Sequence, residues 1–374
     1  MNELPSAPHN SNSFPESGSA APAGRATPRA VTLGISVIAT GLLLAGLMVV
    51  PAPYAIKSPG PTKDTLGGVN SEQLIQIKGD VESFQSTGQL RLTTVGVAGG
   101  PGFPVNFAQV IGGWIDPTKA VYPVETVFPQ HSSKEEIAQE NAAAMTSSQE
   151  NATYAALSEL GYDIPTTLKV QGTLPDSPAI DLVQSGDIIT AIDGAEILDF
   201  DALLAHLDTV APNTTIELGI IRDGNPEVVE FATAPNTHGE GSRLGIALQL
   251  EFEFPVDVEI KIDNIGGPSA GMIFALGIMD RLTEPDEANG QIIAGTGTMD
   301  TGGNVGPIGG IRQKLHGAKR DGAKYFLAPE SNCDEVVGNV PEGLQVVAVE
   351  TLENAWDAVI AIGEGTATDL PTCS

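Results

Sequence analysis

The sequence is poor in basic residues and in aromatic residues. Lysine and arginine number 18 against 47 aspartates and glutamates, which gives a formal net charge of -29. This balance argues against nucleic acid and anionic lipid headgroups as partners, because phosphate binding requires clustered Lys and Arg side chains. Aromatic residues make up 5% of the chain, so we expect a core built from aliphatic side chains and alanine.

Several motifs that carry chemistry are absent from this sequence. It contains no G-x-x-x-x-G-K-[ST] phosphate-binding loop, so we expect no P-loop ATPase in this sequence. The five histidines include no pair at helical i,i+4 spacing, and we predict neither a metal site nor a cofactor. The two cysteines, Cys333 and Cys373, match no zinc or redox spacing. From the sequence, the two cysteines can form a disulfide or remain as two free thiols.

One long apolar run occurs at residues 31–50, and it contains no charged residue. Its length is that of a bilayer core. No good cleavage site follows it, because Pro53 would come directly after the only suitable small residues. We therefore predict a transmembrane signal anchor at residues 30–51, preceded by a disordered tail at 1–29 that is rich in Ser, Pro, Ala and Asn. Positive charges flank the run equally on both sides, at Arg25, Arg29, Lys57 and Lys63.

Residues 161–235 carry a second set of signals. An SPA turn at 177–179 is followed by a strand and turn at 185–194 (SGDIITAIDG) and by an amphipathic helix at 200–210. A strand predicted at 215–222 then leads into an Asp-Gly hairpin turn at 223–224. In this order the motifs resemble a bacterial PDZ domain. The resemblance implies that a peptide adds as a strand beside the helix; a small domain that binds nothing is the alternative.

A serine follows a predicted strand in the second half of the chain. Residues 256–262 alternate apolar and charged side chains, which predicts a strand with one apolar face. The segment 266–271 (GGPSAG) comes next, and then a run with apolar residues at helical spacing. Ser269 is therefore expected at a strand-to-helix turn, where free backbone N–H groups can stabilise an oxyanion. A plain helix N-cap is the structural alternative for this serine.

A lysine lies on the apolar side of a predicted helix. Residues 311–320 (IRQKLHGAKR) place Lys314 on the same stripe as Ile311, Leu315 and Ala318. Burial there disfavours the ammonium form and lowers the pKa of the amine from its ordinary value of about 10.4. A neutral lysine can act as the general base for a nucleophilic serine.

Three segments together resemble the proteolytic domain of Lon proteases: GPSAG at 267–271, the pair Thr296-Gly297, and PIGG at 307–310 followed by Lys314. The resemblance implies that Ser269 is the nucleophile and Lys314 its base. It also implies that Thr296, together with the two glycines of GPSAG, supports the site. Those glycines are Gly267 and Gly271.

The sequence departs from the usual Lon pattern in one position. The acidic residue often found three residues before the serine is replaced by Gly266. The identity of any assisting carboxylate is therefore open, with Asp263 the nearest acidic residue along the chain.

The whole layout is similar to a bacterial membrane-bound PDZ/Lon family. This implies an α/β (α+β) peptidase domain formed by residues 65–135 and 240–363, with the PDZ domain of 161–235 inserted. It further implies an ATP-independent serine endopeptidase in the cell membrane, with a cytoplasmic tail and with its peptidase and PDZ domains outside the cytoplasm. Its partners would be flexible peptides or membrane-protein segments, and the analogy extends to a homo-oligomer.

Three other functions are compatible with parts of the sequence. The segment 267–271 also matches the nucleophile elbow of α/β-hydrolases, but the strand before that elbow would be apolar on both faces. Residues 300–302 (DTG) match the aspartic-protease tripeptide once, in a glycine-rich turn. A membrane-anchored PDZ scaffold with an inactive Lon-like domain is the alternative from a different class.

Overall fold

The computed structural model describes residues 28–69, 72–128, 133–236, 241–263 and 265–373. Apart from Pro28 and Arg29, the tail predicted at 1–29 lies outside the described residues. The α-helices are α1 Pro28–Val49, α2 Phe107–Ile115, α3 Lys134–Glu159, α4 Phe200–Thr209, α5 Gly271–Leu282, α6 Ile311–Arg320, α7 Cys333–Val336 and α8 Leu352–Glu364. Short 3-10 turns occur at Val124–Thr126, Glu330–Asn332 and Ala367–Asp369.

The strands before the middle of the chain are β1 Pro51–Ala52, β2 Tyr54–Asp64, β3 Gly68–Val69, β4 Glu72–Gln73, β5 Ile75–Lys78, β6 Gln89–Ala98, β7 Val105–Asn106, β8 Ala120–Pro123, β9 Thr166–Thr173 and β10 Ile188–Ile192. Those that follow are β11 Ala195–Glu196, β12 Thr215–Arg222, β13 Asn225–Ala232, β14 Ala234–Pro235, β15 Ser242–Arg243, β16 Ile246–Phe252, β17 Asp257–Ile260, β18 Ile292–Gly295, β19 Thr298–Met299, β20 Val305–Gly306, β21 Tyr325–Pro329 and β22 Gln345–Val349.

The first helix, α1, is apolar and largely exposed. Within the described residues it is the one helix long and apolar enough to cross a membrane, over Val31–Val49. A signal sequence near an N-terminus has the same length and composition. The predicted apolar run is therefore a helix of the kind that serves as an anchor or as a signal sequence.

A mixed sheet of six strands forms the larger part of the molecule, in the order β22-β21-β18-β6-β2-β8. The strands β22, β21, β18 and β6 run parallel, whereas β2 pairs antiparallel with both β6 and β8. Side chains along each strand point alternately to the two faces. Thus Ile293 and Leu327 pack with α5 and α8 on one face, while Ala294 and Phe326 pack with α6 on the other.

The helix α5 is the centre of this layer arrangement. Every residue from Gly271 to Arg281 is buried, because the helix lies between the sheet on one side and α3 and α8 on the other. An apolar helix with no solvent face requires such a position. The sheet thus has helices on both faces, and the predicted α/β (α+β) fold class is confirmed.

A second, antiparallel sheet has the strand order β13-β12-β10-β9-β16. It covers one side of α4, and its own apolar core includes Leu168, Ile192, Leu203 and Leu218. The predicted Asp-Gly hairpin turn joins β12 to β13, with φ positive at both turn residues. The edge strand β16 pairs along its length with β9. This sheet therefore continues past residue 235 into the range 240–363 that the sequence analysis gave to the peptidase domain.

One continuous helix, α3, connects the two sheets. Ser133 caps it, accepting a hydrogen bond from the N–H of Glu136, whose carboxylate accepts one from the N–H of Ser133. Such a capping box fixes where a helix begins. Near its other end Tyr154 packs against Phe252 of β16, with ring centroids 4.8 Å apart.

The two cysteines form a disulfide. Cys333 lies at the start of α7, and Cys373 lies in the C-terminal tail, 40 residues later. The bond ties the tail to the core beneath α6. Of the two alternatives that the sequence left open, the structure has the disulfide.

Candidate active site

Ser269 lies in the turn that leads into α5. The helix begins at Gly271, with Ala270 as its N-cap, so the serine immediately precedes the cap. The predicted strand before it ends at Ile260, which leaves a connection of ten residues rather than a tight strand-to-helix turn. The backbone carbonyl of Ser269 accepts hydrogen bonds from the N–H of Gly297 and from the hydroxyl of Thr296, at 3.0 and 2.8 Å. Ser269 is therefore not a conventional N-cap, and its main chain is held by the neighbouring segment.

Lys314 points from α6 into the same place. Its Nζ lies 2.8 Å from Oγ of Ser269 and 2.7 Å from Oγ1 of Thr296. The lysine is only 2% exposed, as the sequence pattern predicted. Burial lowers its pKa from 10.5 to about 7. No carboxylate contributes to this shift among the described residues, so desolvation of the ammonium is its cause.

Thr296 determines which hydrogen bonds the amine of Lys314 donates and accepts. Its hydroxyl has one proton, which it donates to the carbonyl of Ser269, so it must accept the hydrogen bond from Lys314. A neutral amine that donates to Thr296 keeps its lone pair for the proton of Ser269. The residue is 1% exposed, which protects this chain of hydrogen bonds from water.

The two glycines predicted to support the site meet different requirements. Gly267 has φ +86°, a backbone conformation that residues with a Cβ rarely adopt. At Gly271 a Cβ would lie 2.9 Å from the backbone N and the Cβ of Met299. Larger residues at either position would move the turn that carries Ser269.

Helix α3 supplies contacts that the sequence analysis missed. The hydroxyl of Ser148 donates to the carbonyl of Pro268 at 3.0 Å, and the carbonyl of Asn141 accepts from the N–H of Gly267 at 2.9 Å. Met145 lies between them along the helix and lines the cleft. The three positions are spaced i, i+4 and i+7 and therefore lie on one side of α3, and this spacing was the available signal.

A cleft of about 390 Å³ opens beside Ser269. One wall is the turn at 265–270, and the other is the strand β6 at residues 92–96. Because β18 pairs with β6 only along residues 89–92, β2 alone pairs with the following part of β6 among the described residues. The cleft is therefore bordered by an open sheet edge.

Three other titratable residues lie apart from this arrangement. Asp263 is exposed and makes no contact with Lys314 in the part of the chain that the structure describes. Asp300 accepts hydrogen bonds from Asn304 within the turn between β19 and β20, the ordinary role of an Asp there. His316 faces away from the stripe of Lys314, and burial lowers its pKa.

Comparison with known families identifies the two folded parts. The sequence model of the Lon protease (S16) C-terminal proteolytic domain matches residues 260–361, a span that contains Ser269, Thr296 and Lys314. The chain contains a Lon-type serine peptidase domain. A PDZ domain model matches residues 148–233, which confirms the other resemblance.

Several Lon proteases are similar to the Lon-type domain. The chain is 32% identical over 111 residues to Lon protease 2 of Bacillus subtilis (strain 168), covering 28% of this chain and 20% of that protein. It is 30% identical over 180 residues to the Lon protease of Clostridioides difficile (strain 630), covering 43% of this chain and 22% of that protein. The chain therefore spans about a fifth of the length of these curated relatives.

Among solved structures the chain is similar to two PDZ domains of SdrC-like proteins. The one from Listeria monocytogenes has 21% sequence identity and a TM-score of 0.21, covering 22% of this chain and 85% of that chain. The one from Listeria innocua has 22% identity and a TM-score of 0.21, covering 22% and 92%.

The PDZ domain has an apolar groove of about 200 Å³ between α4 and β16. Leu204 and Leu207 line it from the helix, and Ile246 and Leu248 line it from the strand. Since β9 pairs with one edge of β16, the edge toward α4 is open among the described residues. The strand beyond the matched residues thus completes the groove.

Proposed function

We propose that this chain is a membrane-anchored serine endopeptidase that cuts flexible peptides or membrane-protein segments without ATP, outside the cytoplasm. The catalytic pair would be Ser269 as nucleophile and Lys314 as general base. The observation that carries this proposal is a buried lysine whose Nζ lies 2.8 Å from the serine hydroxyl. Buried amines of lowered pKa beside a nucleophile are typical of catalytic sites.

The reaction starts with neutral Lys314. As Oγ of Ser269 attacks the peptide carbonyl, its proton moves to Nζ, and the carbonyl oxygen becomes an oxyanion. The ammonium then gives that proton to the leaving amine, and an acyl-enzyme ester remains. Water next attacks the ester while Lys314 accepts a proton from it, and return of that proton to Oγ releases the acid and restores the serine.

The oxyanion needs N–H donors at the start of α5. The N–H groups of Gly271 and Met272 already donate to the carbonyls of Pro268 and Gly297. The N–H groups of Ser269 and Ala270 have no acceptor within the described ranges. We therefore assign the oxyanion to these two groups rather than to the first turn of the helix itself.

The substrate would bind in an extended conformation along β6. The backbone of residues 93–96 borders the cleft and has an unpaired side, which a peptide can use as it would the edge of any sheet. A folded protein cannot supply such a strand without unfolding locally. Flexible segments are therefore the expected substrates.

The arrangement of the chain supports the location and the recruitment step. A disulfide such as Cys333–Cys373 persists in oxidising compartments, which fits a peptidase outside the cytoplasm. We propose that α1 anchors the chain and that residues 65–135 and 240–363, apart from the strand β16, belong to the peptidase domain. The PDZ domain of 161–235, completed by β16, would hold substrates near the cleft. Holding a substrate in this way raises its local concentration.

The test is cleavage of casein by the full chain in detergent without ATP, beside Ser269→Ala and Lys314→Met. Two matched variants, Ser331→Ala and Lys324→Met, change an exposed serine and an exposed lysine outside the cleft. We expect cleavage to be lost in the first two and kept in the controls. Equal cleavage by all variants would refute the pair. If the wild type neither cleaves nor reacts with a fluorophosphonate probe, the inactive scaffold is the better description.

Recruitment by the PDZ domain has a separate test. Leu204, 43% exposed, lines the groove, whereas Leu198, 66% exposed, does not. Leu204→Lys should raise KM for casein, because an apolar ligand that binds in the groove would bury the ammonium. Fluorophosphonate labelling of Ser269 should not change. Leu198→Lys should behave like the wild type. Equal KM values for both variants would mean that the groove does not recruit this substrate.

A further inference from the structure

The short helix α2 has an unusual composition for a surface helix. Of its nine residues only Gln109 is polar, and its side chain is used at the helix start, where it accepts from the N–H of Asn106. Val110 and Gly113 face the protein and are buried. A helix that is apolar on all sides is normally covered on all sides.

The outward face of α2 is nevertheless uncovered. Ile111, Trp114 and Ile115 are 41%, 63% and 77% exposed, and their i, i+3, i+4 spacing places them on one stripe. Phe103, in the turn before the helix, is 60% exposed, and Tyr122 is 42% exposed. We call these five residues the α2 face.

The α2 face is continuous with the end of α1. The side chain of Asn106 accepts from the N–H of Gln109 at the start of α2 and donates to the carbonyl of Met48 at 2.8 Å. One residue thus caps the end of α1 and the beginning of α2. The strand β1, directly after α1, pairs with β7, directly before α2. Tyr54 contacts Trp114 edge to face at 5.9 Å.

We propose that the α2 face lies in the interfacial layer of the same bilayer that α1 spans, with Trp114 and Ile115 immersed among the lipids. This rests on the proposed anchoring by α1. A face joined so closely to the end of a membrane-spanning helix must be level with the headgroups. Tryptophan and tyrosine beside aliphatic side chains are the residues that favour this layer.

The charges around the α2 face permit this contact. The formal net charge of -29 excludes a general attraction to anionic lipids, so the contact must be apolar. Locally, Lys57 lies 5.3 Å from the ring centre of Tyr122, and Lys134 lies 4.8 Å from that of Phe103. Two cations at the border of the patch offset the repulsion between an acidic protein and phosphate groups.

Docking would fix the orientation of the active site. The helix α2 packs on β1, β2 and β8. The strand β2 pairs with β6, which forms one wall of the cleft. A rigid path of paired strands therefore connects the bilayer surface to the substrate site, and the cleft would face a constant direction relative to the membrane.

The test uses the full chain reconstituted in phosphatidylcholine vesicles, with Trp356→Phe so that Trp114 is the only tryptophan. We expect phosphatidylcholine brominated near its headgroup to quench most of the Trp114 emission, and aqueous iodide to quench little of it. The matched variant Trp114→Phe retains Trp356, which lies in α8 on the opposite part of the core and should be unaffected by the brominated lipid. The difference between wild-type and Trp114→Phe emission gives the same quantity if Trp356→Phe does not fold.

Carbonate extraction of the same vesicles separates the two proposals. A chain that carbonate removes is not anchored, and both proposals fail. A chain that is retained, with Trp114 quenched by iodide and not by brominated lipid, is anchored but not docked, which overturns the inference alone. Shielding from both quenchers that disappears as the protein is diluted into excess lipid would show that a second copy covers the α2 face, and it would also overturn the inference.

Discussion

At the scale of single residues, Lys314 couples reactivity to pH. Its pKa of about 7 means that the neutral amine, the form that would accept the proton of Ser269 in the proposed reaction, predominates only above neutrality. We expect kcat/KM for peptide cleavage to be constant above about pH 8 and to fall roughly tenfold per pH below about 6. A pH series on a fluorogenic peptide measures this. A profile flat down to pH 5 would contradict the role of Lys314.

The same burial has a cost in stability. The ammonium is stable in the unfolded chain below its ordinary pKa of 10.5, whereas the folded chain favours the neutral amine above about pH 7. Below about pH 7 the buried lysine is charged in the folded chain, and the free energy of unfolding is reduced by the whole desolvation penalty. Between about pH 7 and 10.5 only the unfolded chain is charged, so this reduction becomes smaller as the pH rises. Lys314→Met keeps most of the length of the side chain and removes its charge. It should raise the free energy of unfolding by about 4 kcal/mol at pH 6 and by about half of that at pH 9.

Urea unfolding of the wild type and of Lys314→Met at both pH values checks this prediction. The matched variant Lys324→Met removes an exposed lysine and should change stability little at either pH. A Lys314→Met variant that is less stable than the wild type at pH 6 would show that the hydrogen bonds to Ser269 and Thr296 outweigh the desolvation of the ammonium.

Two neighbouring serines show where prediction of the site from sequence ends. Lys314 could be predicted because a charged residue on an apolar helical stripe is a local anomaly that any helix of that register reproduces. Ser147 and Ser148 look equivalent in a helix rich in Ala, Glu and Gln, yet only Ser148 is buried against Pro268. Which of them faces the turn that carries Ser269 depends on how α3 is rotated against α5, and that is a property of tertiary packing.

At the scale of elements, α3 supports the turn that carries Ser269. The hydroxyl of Ser148 holds the carbonyl of the residue immediately before Ser269. Losing one neutral hydrogen bond of about 1 kcal/mol should lower kcat about fivefold through misplacement of Oγ. We expect Ser148→Ala to do so with KM nearly unchanged and with the pH profile still governed by Lys314.

Ser147→Ala is the matched control for this prediction, because Ser147 is the exposed neighbour on the same helix. Steady-state kinetics on the two variants are sufficient. A drop in kcat of the same size in both would point to the stability of α3 rather than to the contact with Pro268.

The strand β16 shows the corresponding limit for elements. Local patterns predicted the helices α4 and α6 and the strand β12 within a residue of their bounds. The pairing of β16 with β9 joins residues far apart in the chain, so no local period reveals it. The predicted PDZ segment consequently lacked the strand that forms one side of its own groove.

At the scale of the whole molecule, the disulfide closes the C-terminal end of the fold. Joining Cys333 to Cys373 closes a loop over 40 residues, for which the chain-entropy argument gives a stabilisation of about 4 kcal/mol. We expect Cys373→Ser to lower the thermal midpoint of the peptidase domain. Added oxidant should leave the midpoint of the wild type unchanged, because its two cysteines are already paired. Reduction with dithiothreitol should reproduce the variant. An unchanged midpoint in both would mean that the tail does not contribute to the fold.

The order of strands in the larger sheet determines at which stage of synthesis the candidate active site can form. In the centre of that sheet β6 pairs with β18, which lies about two hundred residues further along the chain. All of the PDZ domain is synthesised between these two strands. Its sheet can therefore fold during synthesis, before β18 is available to pair with β6. Ser269, Thr296 and Lys314 come together only after that late pairing. Because β18 and α6 both follow the PDZ domain along the chain, the proposed catalytic pair can form only after that domain has been made.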